Sequence, residues 1–181
     1  MATPPGQLWA QGGLYYPGSG DYIYRAGKIN PTHKLYRYSI TGNSWATMTD
    51  APGTIGTPAD LSAGGDYIYV LGDGVSTFYR YSISGDSWTT LTSAPTSVTT
   101  NNSFFGVGDY LYVLRGNNTS TFYRYSISGN SWSTMTNAPV GINTPVATLT
   151  YPGSGDYLYA TGGNSNTWYK YSISGDSWSS I

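Results

Sequence analysis

The chain has no cysteine, no glutamate and a single histidine, His33. Without cysteine there is no disulfide and no thiolate chemistry. Without glutamate, every carboxylate must come from nine aspartates. Charge is scarce as well: 9% of residues are charged and the net charge is −1. A nucleic-acid partner is therefore not expected, because such binding needs a basic stripe that displaces counterions. No apolar run approaches the length of a membrane span, so no membrane insertion is expected. The opening Met-Ala-Thr-Pro-Pro-Gly has neither a basic n-region nor an apolar h-region, so no signal peptide is visible. Polarity comes instead from Ser, Thr, Asn, Gly and Tyr, a balance that points to the outside of the cell or its surface.

What the chain does contain is one sentence written four times. Gly-Asp-Tyr-(Ile/Leu)-Tyr begins at Gly20, Gly65, Gly108 and Gly155. Each copy leads to a Tyr-(Arg/Lys)-Tyr-Ser-Ile-(Ser/Thr)-Gly-(Asp/Asn)-Ser-Trp block that ends at Trp45, Trp88, Trp132 or Trp178. A period of about 45 residues marks a propeller or solenoid, in which one unit cannot bury its apolar face alone. The expectation is a single domain over 1–181, with repeats near 9–52, 53–95, 96–139 and 140–181.

Each repeat reads as four strands. In the second copy, 66–71 is aromatic and β-branched and ends at Gly72. The next strand is 78–83, then Ser84-Gly85-Asp86 turns the chain, with Gly and Asp expected to supply the unusual backbone angles. Trp88 to Thr92 returns and Ala94-Pro95 stops it. Ser103 to Gly106 supplies the inner strand of the following blade. No apolar run has a period of 3.6, so no helix is expected.

The spacing Tyr38 to Trp45, repeated at Tyr81 to Trp88, Tyr125 to Trp132 and Tyr171 to Trp178, follows an aromatic strand ending in Gly. This pattern resembles the kelch repeat from about Leu14 onward. The resemblance implies an all-β fold, a kelch-like β-propeller of four four-stranded antiparallel blades. Two departures stand out. The kelch Gly-Gly doublet is intact only at Gly162-Gly163, and Ser39, Ser82, Ser126 and Ser172 replace the acidic residue that often follows the Tyr. Copper-radical oxidase chemistry, which some kelch-like propellers carry, needs Cys and several His and is excluded here. Kelch propellers serve many roles, so the resemblance implies no single function.

The repeat also sorts the candidate chemistry. Asp21, Asp66, Asp109 and Asp156 share one turn slot, Asp86 and Asp176 another, and Arg37, Arg80, Arg124 and Lys170 a third. A residue present in the same slot of each copy reads as structural. Trp168 shares the slot of Leu35, Phe78 and Phe122 and also reads as repeat packing. Outside the pattern are Trp9, Arg25, Lys28, His33, Lys34, Asp50, Asp60, Asp73 and Arg115. These form no Ser/His/Asp triad, no His-based metal set and no glycosidase-like carboxylate pair. No enzyme activity, cofactor or metal is expected. Arg25 replaces Val70, Val113 and Ala160; it pairs with Asp60 or faces a central channel. Trp9 plugs the first blade or offers a stacking platform.

Variation is concentrated in the loop between second and third strands and in the segments between blades. Function usually sits on variable loops of a rigid scaffold. The ligand-binding candidates are therefore Trp9, Arg25, Asn30, His33, Asp73, Asn117, Asn118 and Asn164. The expected function is a non-enzymatic binding module for a carbohydrate or protein ligand. The alternative is a self-assembling structural subunit: a homo-oligomer, a filament, a layer or half of an eight-bladed ring. Asn101, Asn117 and Asn118 also lie in Asn-x-(Ser/Thr) sequons.

Overall fold

A computed structural model of the chain describes residues 2–3, 14–29, 32–53, 55, 60–72, 74–98, 103–116, 119–139, 148–161 and 166–181. Within these, the side chains of 27–29, 32–33 and 60–64 are not described. Sixteen strands form four four-stranded antiparallel sheets, with no helix among the described residues. None of the described residues therefore forms a helix long and apolar enough to cross a membrane. Each sheet is one blade built from consecutive strands. Blade 1 is β1 (Leu14–Tyr15), β2 (Tyr22–Ile29), β3 (Thr32–Ser39) and β4 (Ser44–Thr47). Blade 2 is β5 (Asp60–Gly64), β6 (Tyr67–Leu71), β7 (Phe78–Ser82) and β8 (Ser87–Thr90). Blade 3 is β9 (Ser103–Val107), β10 (Tyr110–Leu114), β11 (Phe122–Ser126) and β12 (Ser131–Met135). Blade 4 is β13 (Thr148–Thr150), β14 (Tyr157–Thr161), β15 (Trp168–Ser172) and β16 (Ser177–Ser180). Two compact units result, Met1–Ser97 and Val98–Ile181.

Strand alternation gives each blade two unlike faces. One carries the basic slot: in blade 1, Tyr24 opposes Arg37, and Ala26 opposes Leu35. The other carries the tryptophan: Ile23 opposes Tyr38, which opposes Trp45. We call these the Arg face and the Trp face. Blades pack unlike face to unlike face. In the first unit, Tyr24, Ala26 and Leu35 share a core with Ile68, Val70, Tyr79 and Tyr81 of blade 2. In the second, Tyr112, Leu114 and Phe122 share one with Leu158, Ala160 and Tyr171 of blade 4. Phe122 sits edge-on to Tyr171 and Trp178, with centroids 4.9 and 5.1 Å apart. The basic side chain caps the Arg face as a cation over a ring: Arg37 lies 4.1 Å from the Tyr22 centroid, and Arg80, Arg124 and Lys170 repeat the contact on Tyr67, Tyr110 and Tyr157.

The β3–β4 type hairpin departs from expectation in its glycine. The left-handed backbone belongs to Asn43, Asp86, Asn130 and Asp176 alone, at φ of 42 to 46°, a region that Asn and Asp tolerate. Gly42, Gly85, Gly129 and Gly175 are needed for space instead. A Cβ on Gly42 would stand 2.7 Å from Ser39 Oγ, because that serine turns back to accept the Gly42 N–H. The Gly-Asp turn between a blade's first two strands does use positive φ, at Gly65 and Gly108. Its aspartate then staples the two turns at this end together. Asp66 accepts from Ser84 N–H and from the Ser82 and Ser84 hydroxyls, and Asp109 does the same from Ser128 and Ser126.

The hairpin Asp or Asn also ties blade to blade. Tyr81 Oη–H and Thr49 N–H both donate to Asp86 Oδ1, at 2.7 and 2.9 Å, while Trp88 Nε1–H donates to the Thr49 carbonyl. Thr49 follows the last strand of blade 1, so this clamp holds one blade's exit segment on the next blade. Tyr171, Asp176 and Trp178 hold Thr136 the same way. Tyr38, Asn43 and Trp45 hold Ala2.

Two outcomes test this architecture. Asp86→Ala removes an acceptor used twice and lowers stability by about 1–3 kcal/mol in urea unfolding, whereas Asp86→Asn, the residue present at Asn43, costs much less. Asp21, Asp66, Asp109 and Asp156 are held below the ordinary carboxylate pKa by hydrogen bonds, led by those from Ser39, Ser84, Ser128 and Ser172. A depressed folded pKa contributes stability above the unfolded value and loses it as pH falls through the folded one. The melting temperature should therefore drop as pH falls below about 4, and replacing the four aspartates with Asn should flatten that drop.

Candidate functional site

The two ends of each sheet differ in how uniform their sequence is from blade to blade. The hairpin end is fixed by the repeated Asp–Ser bonds. The opposite end carries the loops between second and third strands, where the sequence of each blade differs. Most of the expected ligand-binding residues belong there. Trp9, Asn30, Asp73, Asn117, Asn118 and Asn164 lie outside the described residues. His33 is described as backbone only, opposite Lys28 in the β2–β3 ladder.

Arg25 is the expected site residue that is described in full. It lies on the Trp face of blade 1, between Leu14 and Tyr36 in the ladder, and is half-buried. Val70 and Val113, in the same slot, are fully buried. The long aliphatic stem lets an arginine occupy an apolar slot, and its Nε is shielded from water. Its expected partner Asp60 has no described side chain. Lys34 and Asp50, also outside the repeat, form an ion pair of 2.6 Å that joins the start of β3 to the segment after β4. Both partners are partly exposed, so this pair contributes little stability.

Among the described residues, the aspartates and buried tyrosines of the repeat are committed to structure. Burial alone would raise the Asp86 pKa, yet the hydrogen bonds from Thr49 and Tyr81 outweigh it and hold the carboxylate low; Asp176 behaves alike with Tyr171 and Thr136. Tyr81 and Tyr171 are pushed far up, by burial first and then by their aspartates. Burial likewise raises Tyr24 and Tyr112, against the opposing pull of Arg37 and Arg124. Carboxylates held down and phenols held up do not exchange protons near neutral pH. Among the described residues, no three His, Cys, Asp or Glu side chains come together as a metal site would require.

One residue behaves differently from its sequence reading. Trp168 occupies the slot of Leu35, Phe78 and Phe122, all fully buried, yet it is 57% exposed. This slot lies on the Arg face, and in blade 3 it is Tyr171 and Trp178 of blade 4 that cover Phe122. The repeat alignment shows the slot but not what covers it.

No protein-family model matches the chain, and no curated protein matches it either. Solved structures do. One, the structure of YjhT, superposes with a TM-score of 0.72 at 14% identity, covering 97% of this chain and 66% of that one. This chain thus spans 66% of the length of YjhT. At that identity the likeness shows the fold alone: an all-β chain of four propeller-type blades.

The contrast within one slot is measurable. Phe122→Ala should cost about 3–5 kcal/mol in urea unfolding, as a buried aromatic does. In dilute protein, Trp168→Ala should stay within about 0.5 kcal/mol of the parent, as an exposed substitution does.

Proposed function

We propose that the chain is a non-catalytic interaction module of kelch-like type, which presents its variable loop end to a carbohydrate or protein surface outside the cell. The observation that carries this reading is the asymmetry between the two ends of each blade. At the hairpin end, four aspartates, their serines and the Asp/Asn–Trp clamps repeat from blade to blade and are internally satisfied. Sequence freedom remains at the other end, in loops rich in Asn, Ser and Thr. Neutral side chains of this kind recognise by hydrogen bonding, and nearby aromatics add stacking surface. The committed state of the described repeat carboxylates supports a binding role over a catalytic one. A second reading, a self-assembling subunit, draws on the large apolar side chains Trp168 and Ile181, which are exposed.

A glycan array followed by titration of the best ligand tests the first reading. Replacing Asn30, His33, Asn117 and Asn164 together with Ala should weaken binding at least about tenfold, the loss of roughly one net hydrogen bond. Unchanged affinity in that variant would place recognition elsewhere and contradict the assignment.

A further inference from the structure

We propose that the clamp is also a one-electron redox site. Trp88 with Tyr81 and Asp86, and Trp178 with Tyr171 and Asp176, pass an oxidising equivalent from indole to phenol while the carboxylate takes the phenol proton. Each site lies within one unit, and neither depends on the loop-end ligand.

The chain has no cysteine, so a one-electron oxidant such as an oxygen-derived radical meets chiefly its 19 tyrosines, 6 tryptophans and 3 methionines. In each blade one of those tyrosines touches one tryptophan. Ring centroids stand 5.1 Å apart for Tyr81 and Trp88 and 5.0 Å apart for Tyr171 and Trp178, Tyr38 and Trp45, and Tyr125 and Trp132. Trp88 and Trp178 are half-buried, whereas Tyr81 and Tyr171 are fully buried. An oxidant therefore meets the indole first.

What separates the four pairs is the partner of the hydroxyl. A phenol that loses an electron becomes a strong acid, and an uncompensated buried charge is costly, so the electron leaves together with the proton. Tyr81 Oη–H donates to Asp86 Oδ1 and Tyr171 Oη–H to Asp176 Oδ1, each at 2.7 Å, within the reach that proton transfer requires. Burial would raise both carboxylates, yet their hydrogen bonds hold them below the ordinary range, so each is an ionised base at neutral pH. Tyr38 and Tyr125 donate instead to the amide oxygens of Asn43 and Asn130, at 2.9 and 2.7 Å, and an amide oxygen is not a base. At rest the phenol and the carboxylate do not exchange the proton; loss of an electron from the phenol inverts their order of acidity.

Once an oxidant has removed one electron from Trp88, the indole radical cation takes an electron from Tyr81. The Tyr81 O–H bond breaks and its proton forms a new O–H bond on Asp86. A radical cation, a phenol and a carboxylate thus become a neutral indole, a neutral phenoxyl radical and a carboxylic acid. Trp88 and Trp178 donate their Nε1–H to the Thr49 and Thr136 carbonyls, which are too weakly basic to take the indole proton first. The next tyrosines, Tyr24 and Tyr112, stand 6.4 Å from Tyr81 and 6.1 Å from Tyr171, and among the described residues their buried hydroxyls have no hydrogen-bond partner. The radical therefore rests on Tyr81 and Tyr171.

Pulse radiolysis with the azide radical, which oxidises indole in preference to phenol, tests this. In the parent, the indolyl signal should decay in a fast phase as the phenoxyl signal rises. Asp86→Asn combined with Asp176→Asn installs the residue of blades 1 and 3 and should leave the circular dichroism spectrum unchanged. It should slow the fast phase at least about 100-fold, the loss of a positioned base. Tyr81→Phe combined with Tyr171→Phe should abolish the fast phenoxyl rise. Asn43→Asp removes no bond, gives Tyr38 a base and should enlarge the fast phase. A parent with no fast phase, an Asn variant that keeps the parent's rate, a phenoxyl rise that survives the Phe substitutions, or an unchanged amplitude in Asn43→Asp would overturn the proposal.

Discussion

The clamp formed by a tyrosine hydroxyl, the side-chain Oδ1 of an Asp or Asn and a tryptophan N–H is the contact on which the rest of the structure depends. A single four-stranded sheet cannot bury both of its faces, so a blade gains stability only against a neighbour. Apolar packing supplies the drive but not the alignment. The clamp supplies alignment, because it grips both the N–H and the C=O of one residue in the preceding blade's exit segment. Thr49 on Asp86 and Trp88, and Thr136 on Asp176 and Trp178, are held at both groups. The same residue cannot slide by one position without breaking both bonds.

This constraint explains the residues chosen at the hairpin. The gripping oxygen must project from a tight turn, which puts the Asp or Asn in the left-handed region. Its neighbour must leave room for the serine that folds back beneath the turn, since an added Cβ would stand 2.7 to 3.1 Å from that serine's Oγ. The turn at the same end of the sheet is locked through Asp66 and its counterparts, so the whole hairpin end becomes rigid and internally satisfied. Low net charge then ceases to be puzzling. Among the described residues, the charges that recur in the repeat are used locally, as hydrogen-bond acceptors or as cations over tyrosine rings.

The four sheets were legible in the sequence because period-2 alternation and turn residues recur in four registered copies. Strand ends shifted by a residue or two, as with β8, which begins at Ser87 and stops at Thr90. The structural roles of the repeated aspartates and basic residues could also be read, since a slot filled in each blade must answer a need of each blade. Two things could not. The role of Gly85 was misassigned, because sequence does not separate a glycine needed for φ from one needed for space. Trp168 was read as repeat packing, because a slot shows which residue types recur there and not how buried each copy is. Of the loop-end candidates, Arg25 alone is described in full, as a half-buried strand residue; its identity as an outlier was visible, its environment was not.

The central claim is that, within each unit, one blade is fastened to the other through the clamp, and native-state hydrogen exchange addresses it most directly. The Thr49 and Thr136 amides lie in exposed segments outside any strand, where free amides exchange quickly. If the clamp fastens the blades, both amides should exchange nearly as slowly as those of the central strands, and Asp86→Ala should release Thr49 while leaving Thr136 protected. Fast exchange at both positions in the parent protein would contradict the account.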